Sequence, residues 1–286
     1  MGGRGSTYSR TRTTAARLRM GLGMMGGQPQ QDDGQQQPQQ NTQSPVDGTQ
    51  RITDPQQLYE FFKKADTAAA DAMLAQWRAE PLDTDNRQQD TDTQRFFNYI
   101  GWANNTPEVL TEAQYQQALQ ANGNPTQIYH SDQPYGVIGA RQFAAQYMGL
   151  GQNFAGATYR HFLSGGIHGD GTYFARSASN SAGFGTSQFR GFLNGNAKVI
   201  NEHQLDAMWR RDSARYPALK HIFSKLTTGY ARYGGNWDGA KSVYAAMLGY
   251  NVIDAPHHSG YLAVLDRSAT TVSNKTKKAR VGMSDW

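Results

Sequence analysis

The stretch from Gly169 to Phe184 carries residue types that can enclose a flat, polar ring. Gly169 and Gly171 permit close approach of the backbone just before a short aromatic strand. On the helix predicted behind this strand, Ser181 and Phe184 lie three positions apart and share a face. Together with Tyr173 they are expected to line a slot with two aromatic walls and one hydroxyl, which suits an amide-bearing ring. The alternative is that these aromatic side chains are ordinary core residues.

This segment resembles the second signature of the ADP-ribosyltransferase superfamily, in the form found in poly(ADP-ribose) polymerases. The residues that match in register are Gly169, Gly171, Tyr173, Phe174, Ala175, Ser179, Ser181 and Ala182. The resemblance implies NAD as the substrate, with Tyr173 and Phe184 clamping its nicotinamide ring; Phe184 stands where the family usually has a tyrosine. It also implies that Ser181 bonds the nicotinamide amide and that Gly171 belongs to the NAD-binding strand.

A strand that ends in a histidine precedes this segment, where the family has its first signature. In Tyr129-His130-Ser131, the resemblance makes His130 the residue that holds the adenosine ribose. Ser131 replaces a glycine whose backbone grips the nicotinamide amide, and a backbone contact does not require glycine. Both residues are therefore assigned to NAD binding. The alternative for a lone histidine at a strand end is a surface or capping residue.

The last two strands of the family have counterparts in residues 250–254 and 260–267. The family's catalytic glutamate lies at the start of the second strand, where this chain has Ser259 or Gly260. A carboxylate there would bind a hydroxyl of the nicotinamide ribose and stabilise the positive charge that develops as the glycosidic bond lengthens. Serine and glycine cannot supply that charge, so the catalytic residue is left open.

Three residues near this place are candidates for the missing catalytic group. Asp254 and Asp266 are the nearest carboxylates, and His258 could bind ribose hydroxyls. A cationic histidine would, however, oppose the developing positive charge. Three possibilities follow. The chain uses a carboxylate at a displaced position, it binds NAD without transferring ADP-ribose, or its pocket no longer has a function.

Turn residues and hydrophobic spacing predict an α+β chain in which short strands are interrupted by helices. A helix is expected to begin at Asp54-Pro55, and another turn of helix at Thr106–Glu108. Glu202 and Asp206 share one helix face and are expected to point into water. The predicted organisation is a disordered basic and glutamine-rich arm (1–53), a helical subdomain (54–125), an ADP-ribosyltransferase-like NAD-binding domain with a split β-sheet core (126–274), and a basic tail (275–286).

Composition narrows the classes of function. The 286-residue chain has no cysteine, which excludes a disulfide framework, a thiolate nucleophile and a cysteine-ligated metal. No metal site is expected, since no carboxylate stands at a spacing that would complete a metal-binding set with two histidines. No stretch is apolar enough to predict a membrane span. The net charge of +5 is concentrated at the two ends. These ends predict either weak contact with nucleic acid or a pair of solvated tails.

The layout over residues 90–275 also resembles ADP-ribosyltransferase domains of bacteriophage head-associated proteins. It implies a phage-encoded, NAD-dependent mono-ADP-ribosyltransferase that modifies a host macromolecule, with NAD as substrate and without a metal. Its partners would be a host protein target or phage virion proteins, and its location the virion or the host cytoplasm. One alternative is a non-catalytic virion structural or injected protein with a degenerate NAD-binding fold. Another is a nucleic-acid-binding protein driven by its basic ends.

Overall fold

The computed structural model describes residues 47–81, 91–132, 171–182, 187–228, 236–256, 260–275 and 277–278 of the chain. All of them fall in the compact unit that spans Ser44–Trp286. Helices and strands alternate within this unit, which confirms the predicted α+β class. Most of the predicted N-terminal arm and most of the basic tail lie outside the described residues.

The described residues form eight α-helices and two short 3₁₀ helices. The α-helices are α1 (Pro55–Phe62), α2 (Thr67–Arg78), α3 (Asp92–Tyr99), α4 (Glu112–Ala121), α5 (Ala178–Ala182), α6 (Glu202–Arg215), α7 (Pro217–Lys225) and α8 (Asn236–Met247), and the 3₁₀ helices are Trp102–Asn104 and Arg267–Ala269. None of the helices in the described part of the chain has the length and apolar character needed to cross a membrane.

Short-range capping sets where several helices begin. Asp54 accepts a hydrogen bond from the backbone nitrogen of Gln57 at 2.8 Å, and Pro55 occupies the first helical position of α1. The predicted start at Asp54-Pro55 is therefore confirmed. At α4, the Thr111 side chain and the Gln114 side chain cap each other's backbone nitrogens.

The strands form one mixed sheet. They are β1 (Glu108–Leu110), β2 (Gln127–Asp132), β3 (Thr172–Ala175), β4 (Ser187–Leu193), β5 (Val199–Asn201), β6 (Val252–Ala255), β7 (Tyr261–Val264), β8 (Thr270–Ser273) and β9 (Lys277–Lys278). Their order is β1-β8-β4-β2-β3-β7-β6-β5, and β9 pairs with β4. The pairs β1–β8 and β5–β6 are parallel, whereas the other pairs are antiparallel.

The sheet is divided between β2 and β3. These two strands share one registered residue pair, Tyr129 with Ala175. By contrast, β2 pairs with β4 over six positions and β3 pairs with β7 over four. The sheet therefore consists of two parts that meet at a single registered pair among the described residues: β1-β8-β4-β2, with β9 paired to β4, and the four strands β3-β7-β6-β5.

Two apolar clusters cover the two faces of the β3–β5 half. The helical cluster joins side chains of α1 to α3 with those of α6 to α8 and one face of the sheet, and includes Leu58, Trp77, Phe96, Leu205, Ile222, Tyr244, Ile253, Ala263 and Leu265. The sheet cluster joins the opposite face to the other half of the sheet, and consists of Ile128, Phe174, Phe189, Val252, Leu262, Val264, Ala269 and Val272. Residues 54–125 thus share a core with the C-terminal helices and contribute β1 to the sheet.

Two segments differ from the sequence expectation. The helical turn predicted at Thr106–Glu108 is wrong, because Glu108 begins a strand that runs parallel to β8 and pairs with Thr271. Strand β4 has no counterpart among the predicted strands. Its polar residues Gln188 and Arg190 are buried like their apolar neighbours, so the strand shows no alternation of polar and apolar positions.

The expectation that Glu202 points into water is also wrong. Glu202 is only 7% exposed, and its Oε1 accepts a hydrogen bond from Lys241 Nζ at 2.7 Å. Asp206 is partly buried and accepts a hydrogen bond from the indole nitrogen of Trp237 at 3.0 Å. Their partners lie on α8, far along the chain, and therefore leave no trace in the local helical pattern.

Candidate functional site

His130 lies on β2, next to the bridge between the two halves of the sheet. Its Nδ1 atom donates a hydrogen bond to the backbone carbonyl oxygen of Tyr173 at 2.5 Å. Because a carbonyl only accepts, the hydrogen resides on Nδ1, and Nε2 is an acceptor in the neutral ring. Burial lowers the pKa of His130 below its ordinary value of 6.5, and the hydrogen bond to Tyr173 offsets this only in part. The folded protein therefore favours the neutral imidazole.

The His130 ring contacts two buried aromatic rings of the sheet cluster. Its centroid is 5.6 Å from that of Phe174 and 5.0 Å from that of Phe189. Phe189 is also the register partner of His130 on β4, so the two side chains share a face. The ring is thus held by both halves of the sheet, and it is only partly exposed.

Tyr173 and Phe174 point to opposite faces of β3, as neighbouring strand residues must. Phe174 is 1% exposed and belongs to the sheet cluster, so it is a core residue. Tyr173 is partly buried and packs against the helical cluster. The core interpretation therefore holds for Phe174, whereas Tyr173 keeps part of its ring accessible.

Ser181 is held on a short helix that contacts both halves of the sheet. Helix α5 contacts β2, β3 and β4, and Ser181 is 2% exposed. Gln188 attaches the helix to β4, because its side-chain nitrogen donates a hydrogen bond to the carbonyl oxygen of Ala178 at 2.7 Å. The start of the helix is capped by Ser177, whose Oγ accepts from the backbone nitrogen of Asn180 at 3.2 Å.

Gly171 lies in a tightly packed position. A Cβ atom added at Gly171 would lie 3.0 Å from the carbonyl oxygen of Val264 and 3.3 Å from Cδ2 of Leu265. The glycine before β3 therefore lets the backbone approach β7 closely, as its place in the sequence suggested.

Asp254, one of the three candidate catalytic groups, lies at the end of β6. Its Oδ2 atom accepts a hydrogen bond from Nη2 of Arg176 at 2.7 Å. Its Oδ1 atom is buried and has no hydrogen-bond partner among the described residues. Sequence reasoning did not single out Arg176, although this cation directly follows the signature strand and could have been read as a partner for a nearby carboxylate.

Gly260 adopts a left-handed backbone conformation, with φ of 71°. This is the only position of the Ser259–Gly260 pair within the described residues. An L-amino acid with a side chain rarely adopts such a conformation. A glutamate at this position would therefore strain the turn that leads into β7.

Asp266, the second candidate carboxylate, is occupied by local hydrogen bonds. Its Oδ1 atom accepts from Nδ2 of Asn105 at 2.9 Å. The same atom accepts from the backbone nitrogen and Oγ of Ser268, at 3.0 and 2.7 Å. These bonds cap the 3₁₀ helix Arg267–Ala269 and attach it to the segment before β1.

The remaining candidates lie outside the described residues. His258, Ser259 and Phe184 fall in gaps of the description, as does the side chain of Ser131, whose backbone belongs to β2. The slot expected between Tyr173 and Phe184 is therefore not described. Among the described residues, no group of three or more histidines and carboxylates could hold a metal ion.

Comparison of the chain with protein-family models, with curated proteins and with solved structures found no match.

Proposed function

We propose that the chain is an NAD-dependent mono-ADP-ribosyltransferase built on an ADP-ribosyltransferase-like split sheet. The observation that carries this proposal is the hydrogen bond from His130 to the Tyr173 carbonyl, across 43 positions of sequence. It ties together the two segments that the sequence resemblance assigns to one NAD site. The division of the sheet beside this bond, at Tyr129 and Ala175, supports the split core.

In this proposal the neutral His130 binds the adenosine ribose, whose hydroxyl donates to the ring. Tyr173, with Phe184, stacks on the nicotinamide, and Ser181 bonds the nicotinamide amide. The Ser131 backbone and the closely packed backbone at Gly171 complete the NAD-binding set. No metal takes part in binding.

The reaction exchanges one bond at C1′ of the nicotinamide ribose. The bond from C1′ to the ring nitrogen breaks, and its electron pair leaves with the nitrogen as neutral nicotinamide. A nucleophilic group of the acceptor forms the new bond to C1′ and releases its proton to solvent. We propose a host macromolecule as the acceptor and phage virion proteins as further partners, with action in the virion or the host cytoplasm.

Transfer of a label from NAD tests this function. Purified protein is incubated with adenylate-labelled NAD and a bacterial lysate, and label on macromolecules and free nicotinamide are measured. Wild type is expected to label a macromolecule. His130→Ala and Ser181→Ala are each expected to reduce this labelling about tenfold or more. Matched controls are His221→Ala, at a histidine that bonds Asp71 on the helical side, and Ser179→Ala, at an exposed serine of α5.

The left-handed backbone at Gly260 favours a second function, because a glutamate at this position, where the family has its catalytic residue, would be strained. In that case the chain is a non-catalytic virion structural or injected protein whose degenerate fold keeps NAD binding. Calorimetry with unlabelled NAD separates the two functions. Binding without nicotinamide release and without label supports the second function, and release of nicotinamide rejects it.

A further inference from the structure

Helix α6 carries as many acidic as basic residues, but the structure separates the two kinds. Its carboxylates are turned inward: Glu202 and Asp212 are buried and Asp206 is partly buried. They accept hydrogen bonds from side chains of α1 and α8. The basic residues of the helix, by contrast, are exposed, and they are Arg210, Arg211 and Arg215. The outer side of α6 is therefore basic although the helix as a whole is close to neutral.

Two tyrosine rings lie among the basic side chains at the C-terminal end of α6. The Cζ atom of Arg215 is 5.4 Å from the ring centroid of Tyr216. The Nζ atom of Lys63 is 6.0 Å from the same centroid and 5.3 Å from that of Tyr59. Both rings are partly exposed. These contacts restrict the long basic side chains, so less rotamer entropy is lost when the side chains bind an anion.

Two further cations extend this group. Arg211 precedes Arg215 by four residues on α6, so the two side chains share a face. Lys220 is exposed in the first turn of α7, and its backbone nitrogen donates to the carbonyl oxygen of Tyr216 at 3.1 Å. We call this group the α6–α7 surface, and its members are Tyr59, Lys63, Arg211, Arg215, Tyr216 and Lys220.

The α6–α7 surface keeps an excess of positive charge after its ion pairs are considered. Lys63 is paired with Glu60 at 2.7 Å. Arg211 donates to Asp212 through Nε at 2.8 Å, but its side chain is 63% exposed, which leaves the Nη atoms open to a second anion. Arg215 and Lys220 have no carboxylate partner among the described residues. The surface is therefore suited to an anionic ligand.

We infer that the α6–α7 surface binds single-stranded nucleic acid. Phosphates contact the cations Arg211, Arg215 and Lys220, and a base stacks on the pair formed by Tyr216 and Arg215. Sites for single strands combine such cations with aromatic rings, and bases stack on guanidinium planes as well. An acidic polypeptide would need the cations alone, so the tyrosine rings among them favour a ligand that carries flat bases. The inference does not depend on the transferase function, and it concerns the folded unit instead of the basic ends of the chain.

Fluorescence anisotropy of a labelled oligothymidylate, titrated with full-length protein at several salt concentrations, tests the inference. Wild type is expected to bind, with an affinity that falls steeply as salt is added. Arg215→Gln and Lys220→Gln should each weaken binding and reduce the slope of log K against log salt by about 0.7, the value for one phosphate contact on a single strand. Tyr216→Ala should weaken binding about fivefold or more.

Arg210→Gln is the matched control. It removes the same charge from the same helix, but Arg210 lies five positions from Arg215 and hence about 140° away around the helix axis. Its affinity should stay within about twofold of wild type. If Arg210→Gln weakens binding as much as Arg215→Gln does, the protein attracts the strand through net charge alone and the inference is overturned. Wild type that does not bind the oligothymidylate also overturns it.

Other probes decide the class of ligand. A DNA duplex, poly-glutamate and vesicles that contain phosphatidylserine should each bind more weakly than the oligothymidylate, and equal or tighter binding of any of them contradicts the inference. If circular dichroism shows that Tyr216→Ala does not fold, Arg215→Lys replaces it, because lysine keeps the charge but lacks the plane on which a base stacks. Affinity equal to that of wild type in Arg215→Lys would then reject the stacked base.

Discussion

The Nδ1 atom of His130 and the carbonyl oxygen of Tyr173 lie 2.5 Å apart and join β2 to β3 beside their single backbone bridge. This bond needs a hydrogen on Nδ1, which both the neutral and the cationic ring can supply. Burial decides between these two states, since it penalises the cation and lowers the pKa of His130. Burial therefore disfavours protonation of His130 at the joint between the two parts of the sheet.

We predict that His130 makes stability fall as the medium becomes mildly acidic. The folded pKa of His130 lies below the ordinary value of 6.5, so the unfolded chain binds the proton first as the pH falls. Wild type should lose free energy of unfolding from about pH 6.5 downward until the folded pKa is passed. His130→Gln cannot titrate and should lose less over the same interval. Urea unfolding of both proteins across this range measures the difference, and parallel curves would contradict the prediction.

A second prediction concerns Asp212, which is 1% exposed and links α1, α6 and α8. Its Oδ2 atom accepts from the hydroxyls of Tyr59 and Tyr244 at 2.5 and 2.7 Å, and its Oδ1 accepts from Nε of Arg211 at 2.8 Å. Asp212→Ala leaves two tyrosine hydroxyls without their acceptor and should cost about 2–4 kcal/mol at neutral pH. Asp47→Ala, at an exposed carboxylate, is the matched control and should be close to neutral.

The same residue should contribute to acid sensitivity at lower pH. Burial alone would raise the pKa of Asp212, but hydrogen bonds from Arg211, Tyr59 and Tyr244 outweigh it and hold the pKa below 3.8. Its contribution to stability is therefore present above 3.8 and is lost as the pH falls through the folded pKa. The stability difference between wild type and Asp212→Ala should narrow in that range. A difference that stays constant on acidification would show that the carboxylate charge is unimportant.

A third prediction concerns the buried ion pair between α6 and α8. Lys241 and Glu202 are 5% and 7% exposed, and the Nζ–Oε1 distance is 2.7 Å. Lys241→Met should cost about 3–5 kcal/mol, because it removes the cation beside the buried Glu202 carboxylate and also beside Asp238, whose Oδ1 lies 3.2 Å from Nζ. Glu202→Gln combined with Lys241→Met should recover much of this loss. Denaturant unfolding of both single variants and the double variant gives the coupling energy. If the two single losses of unfolding free energy add up to the loss in the double variant, Lys241 and Glu202 do not stabilise the protein as a pair.

A fourth prediction concerns Gly191, on the strand that sequence patterns did not reveal. A Cβ atom there would lie 2.7 Å from the carbonyl oxygen of Thr271 and 2.9 Å from Cγ1 of Val272. Gly191→Ala should therefore push β4 away from β8 and cost about 1–3 kcal/mol. Gly195→Ala is the matched control, because a Cβ atom at Gly195 meets no atom within 4 Å. Similar melting temperatures for the two variants would mean that β8 shifts without cost.

Residues close together in the sequence determined the start of α1 and the position of β3. Asp54 and Pro55 define the beginning of α1, because a cap and its donor lie within one turn of helix. Strand β3 spans Thr172–Ala175 as its aromatic pattern predicted. The NAD-binding set could likewise be proposed from sequence, because its residues fall in contiguous signature segments.

Pairing between distant residues decided the rest. Strand β1 became a strand because β8 pairs with it, and β4 is hidden in sequence because a strand buried on both faces loses the alternation of polar and apolar residues. Glu202 is buried because Lys241, on another helix, compensates its charge. The sequence by itself showed a displaced acid as one option among several. Only the tertiary structure shows that Asp254 lies on the same face as Phe174 and accepts a hydrogen bond from Arg176, because both depend on strands that are distant in sequence.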